Sequence, residues 1–348
     1  MDIVKQAVGI DVSQKELVVC LGRMDSDFTP ELYAHKVFNN TEHGFKTLLL
    51  WVKTHTLESI KLRFVMEATG VYHESFAYFL DEKGYELSVV LPNKISNYIR
   101  SFNLKSKNDK SDSRAIAMFG LERKLDSWHR PKPIYREMKQ LTRERDQVLH
   151  ERTMVKNQLH AEKVEAHPNK RSIERLNERI KLLNSQEKEI KTEISDLIKA
   201  DNLILEIVGI ICTIPGIGLV TAAIILAETN GFELIKNKRQ LVSYAGLDVR
   251  ERQSGTSING KARITKRGNK HLRKALYFPA WTAIRYDERF KLTFSRHVSK
   301  HGVKMKVGVV IQRKLLELVF ALYKTRKPYD KEYLNEYEEG MKNKVAVV

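Results

Sequence analysis

Apolar and polar positions follow three different rhythms along the chain. Up to about residue 125, short apolar runs alternate with helical spacings. "QAVGIDV" (6–12), "ELVVCLG" (16–22) and "YAHKVFN" (33–39) predict three successive strands. "TEHGFKTLLLWVKTH" predicts a helix, "KLRFVMEAT" a strand ending on Glu67, "HESFAYFLDEKG" a helix with a glycine stop, and "YELSVVLP" a further strand. Helices are expected at about 94–101 and 109–123. Strands interleaved with helices place this part in the α/β class.

From 134 to 200 the pattern changes. Charged residues dominate, aromatics are few, and Leu176, Ile180, Leu183, Ile190, Ile194 and Leu197 recur at helical spacing. Two long helices broken near "AHPNK" by Pro168 are expected, as an antiparallel coiled-coil arm that brings protomers together, with a plain charged linker as the alternative. Residues 201–330 read as mostly helical, including "KVGVVIQRKLLELVFALYKT" from Lys306, with the polar stretch "RERQSGTSINGKARITKRGNK" (250–270) inserted as a loop. From Lys331 the chain is a polar tail.

Charge sharpens the division. Lys and Arg total 61 against 43 Asp and Glu. Residues 231–330 hold 24 of the cations and 7 of the acids, whereas residues 1–230 hold 34 and 32. Nearly all the excess sits in one segment, which points to a polyanion, nucleic acid above all. Cys20 and Cys212, both in apolar runs, read as buried free thiols, and no zinc spacing occurs. The first residues lack a signal-peptide pattern, and the longest apolar stretch is interrupted by Pro215 and glycines, so a cytoplasmic protein is expected.

Four carboxylates stand out against this background. Asp11 lies at the end of the first strand in "GIDVS", and Glu67 at the end of the fourth in "FVMEATG". Asp109 and Asp112 share one face at the start of a helix in "KNDKSDSRAIA". Taken singly, either Asp could be a helix cap and Glu67 a hydrogen-bonded core acid. Taken together, four acids need a cation to share a site, and hard oxygen donors suit Mg²⁺ or Mn²⁺. A pair of such ions can polarise a phosphodiester. In "TIPGIGLVTAAIIL", Pro215, Gly216 and Gly218 separate two apolar helical runs. A helix–hairpin–helix element whose Gly216 and Gly218 admit a phosphate to backbone amides is one reading, and a tight structural turn is the other.

"GIDVSQKELVV", "MEATGVYHE", "KNDKSDSRAIA" and "IPGIG…LVSYAGLDVRERQSGTSINGKARITKRGNKHLRKALYFPA" together resemble the insertion-sequence transposases of the "one-ten" family, DEDD serine recombinases, some of them guided by an element-encoded bridge RNA. The resemblance spans about residues 6–330. It implies a RuvC-like, ribonuclease-H-like metal-binding domain (1–128), a coiled-coil arm (129–200), and a C-terminal transposase domain with a helix–hairpin–helix element (201–330), followed by the tail (331–348). By motif match Asp11, Glu67, Asp109 and Asp112 take the metal-binding roles, and the nucleophilic serine falls on Ser254, with Ser257 as the alternative. Arg250, Arg252, Lys261, Arg263, Lys266, Arg267, Lys270 and Arg273 become candidates for gripping DNA phosphates, a sequence-independent role. The implied partners are double-stranded DNA at the element ends and target, a noncoding bridge RNA, and further copies of the chain. DNA invertases that flip pilin gene segments share this architecture. A junction-resolving nuclease that uses water, and a non-catalytic nucleic-acid scaffold, are the other readings.

Overall fold

The computed structural model describes residues 2–68, 70–101, 108–233, 235–254 and 258–332, and only the backbone of Asn93, 250–254, 258–262 and His301. The polar tail expected from Lys331 therefore lies almost wholly outside the described residues. The chain separates into two units, Met1–Arg130 and Pro131–Val348.

In the first unit a five-stranded sheet has the order β3-β2-β1-β4-β5. Its strands are β1 (Ile3–Val12), β2 (Glu16–Asp25), β3 (Pro30–Asn39), β4 (Leu62–Glu67) and β5 (Glu86–Val90). The β1-β2-β3 meander is antiparallel, while β4 pairs parallel with both β1 and β5. This is the strand order of a ribonuclease-H-like domain, and all five strands read from the apolar runs occur, with β1 and β3 beginning three residues earlier and β2 ending three residues later than those runs. Strand alternation sends Val8, Ile10, Phe64 and Met66 to one face, where they pack with Phe45 and Leu48 of α1 (Glu42–His55) and Phe76 and Leu80 of α2 (Glu74–Glu82). Val65 goes to the other face, with Ile95 and Tyr98 of α3 (Pro92–Ser101) and Ile116 and Phe119 of α4 (Asp109–Glu122).

The second unit opens with two long helices, α5 (Pro133–Val164) and α6 (Lys170–Lys199). They run antiparallel, as Arg145, Arg152 and Glu162 along α5 bond in turn to Glu187, Asn184 and Ser172 of α6, and Pro168 lies between the two helices. Val148 and Val155 meet Leu183, Ile190 and Ile194 along the seam. The remaining helices are α7 (Asn202–Cys212), α8 (Leu219–Glu228), α9 (Lys238–Ala245), α10 (Lys270–Ala275), α11 (Tyr277–Tyr286), α12 (Glu288–His301) and α13 (Lys304–Thr325). They share one apolar core, in which Ile311, Leu315, Leu316 and Val319 of α13 are fully enclosed. No described helix is long and apolar enough to cross a membrane. Both cysteines are free, Cys20 buried and Cys212 half-buried, and burial pushes the Cys20 thiol up to about 11, which keeps it protonated.

One expectation needs correction. The stretch expected as a polar loop instead forms an antiparallel hairpin of β6 (Val249–Ser254) and β7 (Ile258–Ile264). Only its first rung, Val249 with Ile264, is apolar on both sides. Past that rung the paired residues are polar or glycine except Ile258, so the usual apolar strand signal is absent from its sequence.

Candidate functional site

The acids come together because a helix presses directly onto a strand. A Cβ added to Gly9 would lie 2.2 Å from the backbone nitrogen of Ala117 and 2.4 Å from the carbonyl oxygen of Ser113. One added to Gly120 would lie 2.8 Å from Val65 and 3.2 Å from Ala7. Small residues on both elements (Ala7 and Gly9; Ser113, Ala117 and Gly120) thus let α4 lie against β1. Later residues of α4 cover earlier residues of β1, so the two run in opposite directions. The start of α4 therefore meets the end of β1. Asp11 is two residues beyond Gly9 and shares its face. Glu67 is two beyond Val65 and likewise faces α4. Asp11 and Glu67 each stand one step past the Ile10–Met66 rung of adjacent parallel strands. An Asn108–Ser111 capping box starts α4, and Asp109 and Asp112 occupy its first turn.

The electrostatics record this convergence. Burial, followed by the charges of Asp109, Asp112 and Glu67, pushes the half-buried Asp11 carboxyl up to about 6. In number and donor type the four carboxylates fit a hard divalent cation. Among the described residues no group of three or more His, Cys, Asp or Glu is arranged as a ready metal-binding cluster.

The second candidate element is the β6–β7 hairpin. Ser254 pairs with Ile258 on its last rung. Five strand steps separate it from Val249, or roughly 17 Å at the rise of a β-strand. Ser257 lies outside the described residues, as do the side chains of Ser254, Arg250, Arg252 and Lys261. The root is held tightly. Gly246 ends α9 in the left-handed conformation, and Lys266 also has positive φ. The backbone N–H of Lys266 donates to Gly246 O at 3.1 Å, that of Thr265 to Asp248 O at 2.9 Å, and that of Asn269 to Tyr244 O at 2.8 Å. Arg263, Lys266, Arg267 and Lys270 are exposed along this root. Arg273 is engaged internally, donating to Ala245 O at 2.8 Å and Gly268 O at 3.1 Å.

The glycines between α7 and α8 differ from each other. Gly216 has φ +90°, and a Cβ there would come 2.6 Å from Pro279 O and 3.0 Å from Thr282 of α11. It serves close internal packing. Gly218 is exposed at the N-cap of α8, with nothing within 4 Å of an added Cβ. The first amides of α8 are thus open to an anion at Gly218.

Sequence reasoning did not single out Glu228, Arg143 or Asn269. Glu228 is buried at the end of α8, and its carboxylate accepts from Arg143 Nε at 2.9 Å and Asn269 Nδ2 at 2.6 Å. The available signal was a lone acid closing the apolar run "LVTAAIILAE".

Comparison with known proteins bears on both halves of the chain. An IS110 DEDD profile described as "Transposase" matches residues 8–168, and one described as "Transposase IS116/IS110/IS902 family" matches residues 208–295. The pilin gene-inverting proteins of Moraxella lacunata and Moraxella bovis are each 27% identical over 329 residues, 94% of this chain and 98% of theirs. The "Insertion element IS110 uncharacterized 43.6 kDa protein" of Streptomyces coelicolor is 26% identical over 125 residues, 34% of this chain and 31% of its own. Among solved structures, T. thermophilus RuvC in complex with Holliday junction substrate aligns with 33% of this chain and 90% of its own, at 13% identity and a TM-score of 0.25.

Proposed function

Because the chain belongs to the IS110 family of transposases, and so acts as a DNA transposase or recombinase, we propose that it cuts and rejoins DNA through Ser254, with Asp11, Glu67, Asp109 and Asp112 as the ligands of Mg²⁺ or Mn²⁺. The observation that carries this reading is the placement of Asp11 and Glu67 one step past the Ile10–Met66 rung of adjacent parallel strands, with Asp109 and Asp112 in the first turn of the helix that lies on β1. Acids converging from two strand ends and a helix start supply the hard oxygen donors that a divalent cation takes.

In this reading the Ser254 hydroxyl attacks a DNA phosphorus. One phosphorus–oxygen bond forms, one to the deoxyribose oxygen breaks, and that oxygen leaves as a hydroxyl carrying a proton. The phosphoserine ester conserves the phosphodiester, so a hydroxyl of another strand can displace the serine without an external energy source. When bound, the divalent ion supplies charge stabilisation at the phosphate oxygens. Asp11, Glu67, Asp109 and Asp112 would hold it there. The exposed Arg263, Lys266, Arg267 and Lys270, with Arg250, Arg252 and Lys261 of the hairpin, would grip flanking phosphates, and the Gly218 end of α8 would offer its amides to another. The α5–α6 hairpin is the candidate coiled-coil arm that joins protomers, and a noncoding bridge RNA encoded beside the gene is the proposed guide.

Site-specific inversion is the second reading, favoured by the likeness to the pilin gene-inverting proteins over 98% of their length. It uses the same chemistry on a different DNA arrangement. The test traps the covalent intermediate. Protein, with and without RNA transcribed from the gene's flank, is mixed with labelled junction DNA and Mg²⁺ and denatured in detergent. A protein-linked band that disappears in Ser254→Ala and in Asp11→Ala is expected. Cleavage without a linked band, and insensitive to Ser254→Ala, would leave a nuclease that uses water.

A further inference from the structure

The hairpin that carries Ser254 leaves the helical core between the end of α9 and the start of α10, and one buried residue touches both sides of that exit, with its carboxylate on one side and its backbone oxygen on the other. Glu228 is 3% exposed. Its carboxylate accepts from the Asn269 side chain at 2.6 Å, and Asn269 caps α10 immediately after the hairpin. Its backbone oxygen accepts from the Tyr244 hydroxyl at 2.7 Å, and Tyr244 lies in α9 just before the hairpin. Tyr244 O in turn accepts from the Asn269 backbone N–H. The ring of contacts from Glu228 to Tyr244 to Asn269 therefore closes on itself.

The same carboxylate reaches the long arm. Arg143 of α5 donates to it through Nε at 2.9 Å and through a second guanidinium nitrogen at 3.2 Å. Burial alone would raise the Glu228 carboxyl, but the hydrogen bonds from Arg143 and Asn269 outweigh it and hold the group below the ordinary carboxylate value. One turn further along α5, Asp146 accepts from Lys274 at 2.9 Å and lies 3.3 Å from His271, both on α10. Between these elements is a cavity of about 260 Å³ lined by α5, α8, α10 and α11. At this level polar pairs rather than close packing tie the arm to the hairpin root.

We propose that Glu228 is a positioning residue that fixes the root of the β6–β7 hairpin and couples it to the α5–α6 arm through Arg143. The proposal rests on the reading that this hairpin presents the reactive serine. Its contacts carry a specific requirement: cutting either the Asn269 tie or the Arg143 tie should loosen the hairpin while leaving the helical core intact.

The experiment uses the full chain as wild type, Glu228→Gln, Asn269→Ser and Arg143→Ala. Serine retains a capping hydroxyl for α10 but cannot reach Glu228. Hydrogen–deuterium exchange is followed in β6, β7, α8 and α13, alongside the rate of covalent adduct formation at saturating junction DNA and the Kd for that DNA. We expect strand amides to exchange about tenfold faster in all three variants, with α8 and α13 changed by less than about twofold. Adduct formation should slow by about tenfold with Kd within about threefold. Wild-type exchange in the strands of Asn269→Ser and Glu228→Gln would overturn the proposal. So would equal acceleration in α13, which would make Glu228 a general stabiliser of the core. If wild type forms no adduct, the serine chemistry is refuted, and the exchange comparison still decides the role of Glu228.

Discussion

Replacing Asp11 by Asn should stabilise the first unit in the absence of divalent cations while abolishing its chemistry. The Asp11 carboxyl moves from its ordinary 3.8 to about 6 on folding. At 1.36 kcal/mol per tenfold step in proton affinity, this is at most about 3 kcal/mol between the two protonation states. Asp11 is only half-buried, so solvent screening reduces the expected effect to about 1–2 kcal/mol. The sign follows from which state holds the proton. Below pH 3.8 the folded and unfolded chains are both protonated and no penalty exists. Between 3.8 and about 6 the unfolded chain ionises first, so wild-type stability falls as pH rises, and above 6 the penalty is complete. Asn does not titrate. The melting temperature of Asp11→Asn minus that of wild type should therefore grow from pH 4 to pH 7 by roughly 3–8 °C for a unit of this size. Thermal melts in EDTA across that range measure it. In saturating Mg²⁺ the difference should shrink or reverse, because a bound cation favours the carboxylate. A difference independent of pH would refute the idea that four converging carboxylates strain this fold. A pH-dependent difference that ignores Mg²⁺ would refute their role as ligands.

Other positions give further tests. Gly9→Ala places a methyl group against the backbone of α4, and should cost about 1–3 kcal/mol in a denaturant melt and weaken Mg²⁺-induced stabilisation by displacing Asp109 and Asp112. Gly216→Ala combines positive φ with a contact to Pro279 O, so it should destabilise the second unit by about 2 kcal/mol or more, with or without DNA. Gly218→Ala meets open space and should leave the melt unchanged, while a DNA titration shows whether the amides it flanks hold a phosphate. On the arm, burial would raise Glu187, but Lys191 and Arg152 hold it at about 2. Its contribution to stability is therefore present above the unfolded value of about 4.5 and is lost as pH falls toward 2. Glu187→Ala, which strands Arg145 and Arg152 without a counter-charge, should cost about 3 kcal/mol at pH 7, read by helical circular dichroism.

The first unit was legible because its strands bury at least one face. "AVGIDV" and "RFVME" must be apolar where they meet helices, and the acids that end them are conspicuous for breaking that pattern. The glycine that lets α4 approach is visible in "VGID", yet the sequence does not say what presses on Gly9; only the fold supplies Ala117 and Ser113 as its neighbours. The β6–β7 hairpin was hidden for the opposite reason, since past its first rung Ile258 is the one apolar residue among its paired positions. Gly216 and Gly218 look equivalent two residues apart, and they differ because α11, more than sixty residues later, covers one and not the other. Glu228 is a similar case. Its partners at 143 and 269 are remote in sequence, so no local pattern could announce them.

The dimensions of the arm have a mechanical consequence. From Arg143 to the end of α5 at Val164 is about 32 Å of helix. A rotation of about 10° at the Glu228 tie would sweep the far end by about 5–6 Å while displacing the hairpin root, close to the pivot, far less. With Arg143 as its pivot, the α5–α6 pair would be a lever with unequal arms. A load applied at its tip would reach the carboxylate as a small displacement multiplied in force, and an adjustment of the hairpin too slight to break a hydrogen bond would appear at the tip as a shift comparable to one helical turn.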